Sequence, residues 1–337
     1  MTRWLDILSA GPGLTLQDLG RPFHMASGLS TGGAADRLAL FEAAALLGLK
    51  KVVCGIEMAG MGGRFQFTEP TRFALTGAPM RTTLDGRALR WNASHMAEAG
   101  QMLEIGGAQA GVYGYLTPAG GFDGAEILGS RAAHLAVGIG APMQSGDRLE
   151  IRPDLAPDTP ARVLPDDPRF SGGTLRLVRG PQTDLFAPET LTRFLGVSFI
   201  RSPVGNRQGM RLEQDGAPFG AEVKGQASDL ILPGDVQMTG EGIPYVLLAE
   251  CQTTGGYARI GSVIADDLPR AAQTPPGACL RFEMLTTEAA DSLWRPETGL
   301  LKALSARTRP LLRNPRDIPD LLSYQLIGGV TAGDEED

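Results

Sequence analysis

Along most of this 337-residue chain, apolar residues fall at alternate positions or in short runs of four or five. That spacing suits strands, whose successive side chains point to opposite faces. Arg64-Phe65-Gln66-Phe67 alternates, and Phe73-Ala74-Leu75-Thr76 runs into a turn at Gly77-Ala78-Pro79. Residues 82–89 hold Asp85-Gly86 between two short runs, the pair that a tight hairpin with positive φ favours. Leu103-Glu104-Ile105 and residues 112–116 continue the pattern. Turn signals recur about every ten residues, which predicts barrels or sandwiches.

Helical spacing is rare. Residues 36–49 are rich in Ala and Leu and follow Gly32-Gly33. Residues 187–195 carry Pro188 in the first turn, where a missing N–H costs little. Residues 286–304 form a weaker third helix, interrupted by Pro296 and Gly299. Pro153, Pro157, Pro160, Pro165 and Pro168 crowd one short stretch, which reads as a linker. The expected organisation is a β-rich domain over 1–152, a Pro/Asp-rich linker over 153–173, a β-barrel over 174–284, and a helical or irregular tail over 285–337. The class is mainly β, with two barrel-type domains and a few short helices.

Composition agrees, since 45 glycines and 24 prolines suit many turns. The 31 Lys and Arg against 38 Asp and Glu leave a net charge of −7, which repels phosphate backbones and anionic lipid. Nucleic acid and membrane are therefore not expected partners. Cys54, Cys251 and Cys279 are odd in number and scattered, which argues against a disulfide framework and for a reducing cytosol. The first six residues lack the apolar core of a signal peptide, and no run approaches the roughly 20 apolar residues of a membrane span. A cytoplasmic location is expected. The acidic end, 333–337, reads as a solvated tail.

Some chemistries drop out. No Gly-Lys pair exists to build a phosphate-wrapping loop. His24, His95 and His134 are scattered and no Cys-x-x-Cys occurs, so no metal site is expected. Gly28-Leu29-Ser30-Thr31-Gly32 matches the nucleophile-elbow pattern, with His95 or His134 as conceivable bases. The elbow needs a strand before the serine, however, and residues 21–26 do not read as one. A glycine-rich loop capping the next helix is the favoured reading. Gly120-Gly121 with Gly129-Ser130-Arg131 offers backbone N–H groups and a guanidinium suited to a carboxylate or phosphate, although on these residues alone a turn with a surface arginine is the favoured reading. Gln252-Thr253-Thr254-Gly255-Gly256-Tyr257 follows an apolar strand and packs an amide, two hydroxyls and a phenol into a glycine loop where a ligand can approach the backbone.

Taken in order, further strings form a larger pattern: Gln17-Asp18-Leu19-Gly20-Arg21, the loop from Gly28 to Asp36, Ile56-Glu57, Leu128-Gly129-Ser130-Arg131, Ser145-Gly146-Asp147, Gly180-Pro181-Gln182, Gly209-Met210-Arg211-Leu212-Glu213, and 252–257 with Asp266-Asp267-Leu268. Over residues 5–285 they resemble the family of biotin-dependent carboxyltransferases and 5-oxoprolinase C subunits, which includes KipA and allophanate hydrolase subunit 2. The resemblance implies a cyclophilin-like second barrel. It also implies one subunit of a hetero-oligomeric, ATP-dependent enzyme for a small amide or lactam such as urea or 5-oxoproline. A KipI-like partner and a LamB-like partner are expected. ATP would act at the level of the complex, with no site locatable here, and biotin would take part only if another protein supplied it. The alternative is a KipA-like regulatory binding protein. Within this frame Glu57, Arg131, Arg207, Gln252 and Tyr257 are the catalytic candidates. Gln17, Asp36, Gly129, Ser130, Glu213, Thr253, Thr254, Gly255 and Gly256 are the substrate-binding candidates. Arg131 or Arg207 would hold an anionic group, and Glu57, Asp36 or Glu213 would serve as base or orient the arginines. Three positions depart from the family pattern: Gly32 stands for a serine, Asn206 for a carboxylate, and Glu250 for aspartate.

Overall fold

The computed structural model describes residues 2–220 and 227–312, so the acidic end lies outside the described residues. The N-terminal half is two sheets that share one core. A six-stranded sheet contains Arg3–Ala10 flanked by Arg148–Ile151 and Gly63–Phe67. A seven-stranded sheet contains Gly55–Ala59, Tyr113–Pro118 and Thr71–Gly77 side by side. Leu5, Ile7, Phe65, Phe67 and Leu103 from the first meet Ile56, Met58, Leu75 and Leu116 from the second. The alternation read from the sequence thus places its apolar face between sheets. Thr71–Gly77 and Tyr113–Pro118 are buried along their whole lengths, because helix Arg37–Leu47 covers the far side. At the predicted hairpin, Asp85 and Gly86 both take positive φ, 47° and 79°, between strands Met80–Leu84 and Arg87–Ala88.

The second half closes into a seven-stranded barrel. Gly173–Val178 runs parallel to Cys279–Met284, and its other barrel pairing is antiparallel. Phe194, from helix Pro188–Gly196, stacks on Phe282 at 4.8 Å and meets Phe199 and Phe219 at 5.0 and 5.4 Å. The mainly β class holds, with one closed barrel and, before it, two open sheets rather than a second closed barrel. The barrel core continues into the N-terminal half through Ala34, Leu40, Tyr113 and Tyr115.

The proline-rich segment is a docked strap rather than a free linker. Asp154 pairs with Arg72 at 2.8 Å, Val163 adds to the seven-stranded sheet beside Ala93, and Arg169 is buried. The weak third helix divides at Pro296 into Thr287–Leu293 and Glu297–Arg307, and the second piece packs Leu301 and Leu304 against Phe41 and its neighbours. The structure adds a short helix over Leu268–Gln273, whose six residues are too few to show a period in the sequence. No helix among the described residues is long and apolar enough to cross a membrane.

Cys54 and Cys251 are buried, and burial pushes their thiols up, that of Cys251 to about 12. Cys279 is exposed. Mild iodoacetamide treatment should therefore add a single carbamidomethyl group to the native chain, at Cys279, with three after unfolding in urea. Peptide mass mapping checks this, and modification of Cys54 in the native chain would contradict it.

Candidate functional site

The segment Gln17-Asp18-Leu19-Gly20-Arg21 and the glycine loop 28–36 lie side by side. Arg21 N donates to Thr31 O at 2.8 Å and Ala34 N to Asp18 O at 2.9 Å. The approach is so close that a Cβ on Gly33 would stand 2.6 Å from Gly20 N, and both glycines take φ near 80°. Asp18 then gathers the third string: Ser130 Oγ donates to its Oδ1 at 2.6 Å and Arg131 N to its Oδ2 at 2.8 Å. Gln17, fully buried, donates to Thr15 Oγ1 and Ala133 O. These landmarks form one scaffold that aims the glycine loop at the barrel.

Where they meet, four segments supply a buried charged hub. Arg207, from the barrel, donates through Nε to Glu250 Oε1 at 2.7 Å, through Nη1 to Glu57 Oε1, and through Nη2 to Gly33 O. Glu57 Oε2 accepts from Tyr115 Oη at 2.6 Å and from Ala35 N at 2.8 Å. Burial disfavours a charged Arg207, but Glu57 and Glu250 outweigh it and raise its pKa. Burial, reinforced by Glu57, raises Tyr115 and keeps its phenol protonated as a donor. One step away Asp36 caps helix Arg37–Leu47 through Ala39 N, and its Oδ2 accepts from Arg169 Nε at 3.0 Å and Gln273 Nε2 at 2.8 Å. Arg169 also holds Glu42 through two bonds of 2.8 and 2.6 Å.

A cleft of about 600 Å³ opens beside this hub. Gly32 and Ala35 of the glycine loop, Leu248 and Ala249 before Glu250, and Arg37, Trp294 and Arg295 contribute to its lining. The largely apolar wall also carries Asp266 and Glu297, and Glu297 pairs with Arg37 at 2.8 Å, so among the described residues Arg295 is the cation left to meet a small ligand bearing one anionic group.

The carboxyltransferase domain model, subdomains A and B, matches residues 27–284. The chain belongs to this family. It is similar to the C subunit of 5-oxoprolinase from Escherichia coli strain K12, with 33% identity over 297 residues covering 85% of this chain and 93% of that protein. The Haemophilus influenzae protein of the same name is 30% identical, covering 86% and 94%. Among solved structures TTHA0988 superposes with a TM-score of 0.75 at 30% identity, this chain spanning 56% of that one. Kluyveromyces lactis urea carboxylase superposes with a TM-score of 0.81, but at 21% identity and 31% of its length it supports the fold alone.

The expected site residues divide between the junction and the periphery. Glu57, Asp36 and Arg207 meet at the junction, but Arg207 is a brace between two carboxylates and a carbonyl, which leaves it poorly placed to receive an anion. Arg131 is likewise occupied, by Asp123 at 3.3 Å and Glu126 at 3.0 Å. Gly129 is exposed in the tight Ile127–Ser130 turn, whereas Ser130 is buried on Asp18. Glu213 sits apart on the barrel, accepting from Ser202 Oγ at 2.7 Å. Residues 252–257 do not line the cleft: Gln252 and Tyr257 face solvent, Thr253 is buried, and Thr254–Gly255 pairs with Asp229–Leu230. Gly255 is needed for packing, since a Cβ there would stand 2.9 Å from Gln237 Nε2. Tyr115, Arg169, Glu42 and Gln273 escape sequence reasoning, because each reads locally as an ordinary strand, strap or helix residue.

The elbow reading fails in its strand: only a 3-10 turn, Met25–Ser27, precedes Ser30, and the helix begins seven residues later at Arg37. His95 contacts Arg90 O through Nε2 at 2.7 Å and makes no hydrogen bond to Ser30. Ser30 Oγ instead lies 2.8 Å from His134 Nε2. Among the described residues no cluster of His, Cys, Asp and Glu has a metal-binding arrangement.

Proposed function

We propose that the chain is the C-type subunit of a hetero-oligomeric enzyme that opens a small amide or lactam, 5-oxoproline being the best fit and urea the next. The near end-to-end correspondence with two 5-oxoprolinase C subunits supports this reading most directly. The cleft supports it too: Arg295 would meet the substrate carboxylate, while Leu248, Leu38 and Trp294 would cover the ring. The Arg207–Glu57–Tyr115 hub holds the cleft wall in place by tying the glycine loop to the barrel.

ATP does not fit this chain's cleft. A triphosphate needs several converging donors, whereas the cleft is walled largely by Leu, Ala, Pro and Phe, and Arg37 is already paired with Glu297 at 2.8 Å. ATP use therefore belongs to a KipI-like partner, with a LamB-like protein as the third component. Biotin, if used, arrives on another protein, and no step here depends on it.

Co-expression with a KipI-like partner should give a complex that survives gel filtration. With the LamB-like component added, it should hydrolyse ATP only when 5-oxoproline is present, and the lone chain should be inactive in that assay. A site divided between chains leaves each half without the geometry that lowers the barrier. Lactam turnover by the chain alone would overturn the divided-site reading. Stable binding to the partner that only inhibits its ATP use would favour a regulatory module.

A further inference from the structure

The string Gly28-Leu29-Ser30-Thr31-Gly32 is not accounted for by lactam opening. Its hydroxyl contacts His134 Nε2 at 2.8 Å, and His134 Nδ1 faces Glu250 Oε2 at 3.9 Å. The three residues come from distant segments and are 5%, 0% and 3% exposed. A serine can fill a histidine's bonding needs without any chemistry, but here the needs are not filled. His134 Nδ1 is buried without a hydrogen-bond partner. The facing carboxylate favours the tautomer with its proton on Nδ1, which leaves Nε2 to accept from Ser30. Burial lowers the His134 pKa, Glu250 opposes this, and Arg21 and Arg207 add to it, so the ring is neutral and able to take a proton.

A second orphan stands beside the first. Arg21 is fully buried, and its Nε and Nη2 donate to Ile127 O and Ala132 O while Nη1 has no partner. A Cβ built on Gly32 would stand 2.9 Å from His134 Cδ2 and 3.8 Å from Arg21 Nη1. Gly32 therefore brings the ring and the free guanidinium N–H together at a backbone position that itself lines the cleft. The departure from serine at Gly32 has a physical reason, because a side chain there would strike the His134 ring.

We propose that Ser30 is a nucleophile toward small activated acyl compounds, esters or mixed anhydrides, with His134 as its base, Arg21 Nη1 as donor to the developing oxyanion, and Glu250 as a positioning residue. The Ser30 proton passes to His134 Nε2 as the Oγ–C bond forms and the carbonyl electron pair moves onto oxygen. Collapse breaks the bond to the leaving group, which departs with the proton from Nε2. Water, deprotonated by the same nitrogen, then cleaves the Ser30 ester, releasing the acid and restoring the hydroxyl. This activity needs neither ATP nor a partner, so it can fail without touching the lactam reading.

The test uses the purified chain alone with an alkyl fluorophosphonate, which forms an Oγ–P bond and expels fluoride. One adduct per chain is expected, mapped to Ser30 and absent in Ser30→Ala. In His134→Gln the labelling rate should fall about 100-fold or more, the range that a positioned base supplies. Glu250 is tested through the ring: nitrogen NMR should show the Nδ1–H tautomer in the parent and its loss in Glu250→Gln. Failure of the folded parent to label at Ser30, or an undiminished rate in a folded His134→Gln, overturns the proposal. An unchanged tautomer in Glu250→Gln removes Glu250 from it.

Discussion

Arg207→Ala should destabilise the chain by about 3–5 kcal/mol, because it strands two buried carboxylates that now share one guanidinium. Glu57 is 1% and Glu250 3% exposed, so water cannot replace the lost partner without opening the junction. The loss is not confined to charge. Arg207 Nη2 also binds Gly33 O, so the glycine loop loses its tie to the barrel. Arg207→Lys should recover only part of the deficit, since one ammonium cannot reproduce a fork that reaches Glu57, Glu250 and Gly33 together. Urea unfolding of the three proteins measures this. A deficit below about 1 kcal/mol for Arg207→Ala would show that the hub is hydrated and that Arg207 is no brace.

Much of the scaffold was legible because its signals are local. Asp85-Gly86 announces two successive positive φ angles, and the Ala- and Leu-rich run after Asp36 becomes the helix Arg37–Leu47 with Asp36 as its cap. Pro296 starts the last helix where the periodicity breaks. The site was legible only in pieces. Glu57, Tyr115, Arg207 and Glu250 come from four separated segments, and no spacing along the chain signals that they share hydrogen bonds. Residues 252–257 show the converse case. An amide and a phenol beside paired glycines are chemically suggestive, yet strand pairing to Asp229–Leu230 turns Gln252 and Tyr257 to solvent. The proline-rich stretch misled in a similar way. Its composition says linker, but Arg169 carries a charge that two buried carboxylates require, and that pairing docks it.

That pairing carries the second large effect. Arg169→Ala should cost about 3–5 kcal/mol at neutral pH, by leaving Glu42 and Asp36 buried without their cation. The deficit should also depend on pH in a definite sense. Burial raises the Glu42 pKa, and Arg169 is the group that opposes this. Without Arg169 the folded-state pKa of Glu42 rises further above its unfolded value. Such a group binds more protons folded than unfolded, so its contribution to stability is present at low pH and is lost as pH rises through the folded pKa. The variant should therefore lie closer to the parent at about pH 5 than at about pH 7.5. Adding Glu42→Gln to Arg169→Ala removes the titrating group, so the pH-dependent part of the deficit should shrink. Urea unfolding at the two pH values decides the matter. An Arg169→Ala deficit that is equal at both, or larger at the lower pH, would mean that water enters the pocket and that Glu42 does not need the strap for its neutralisation.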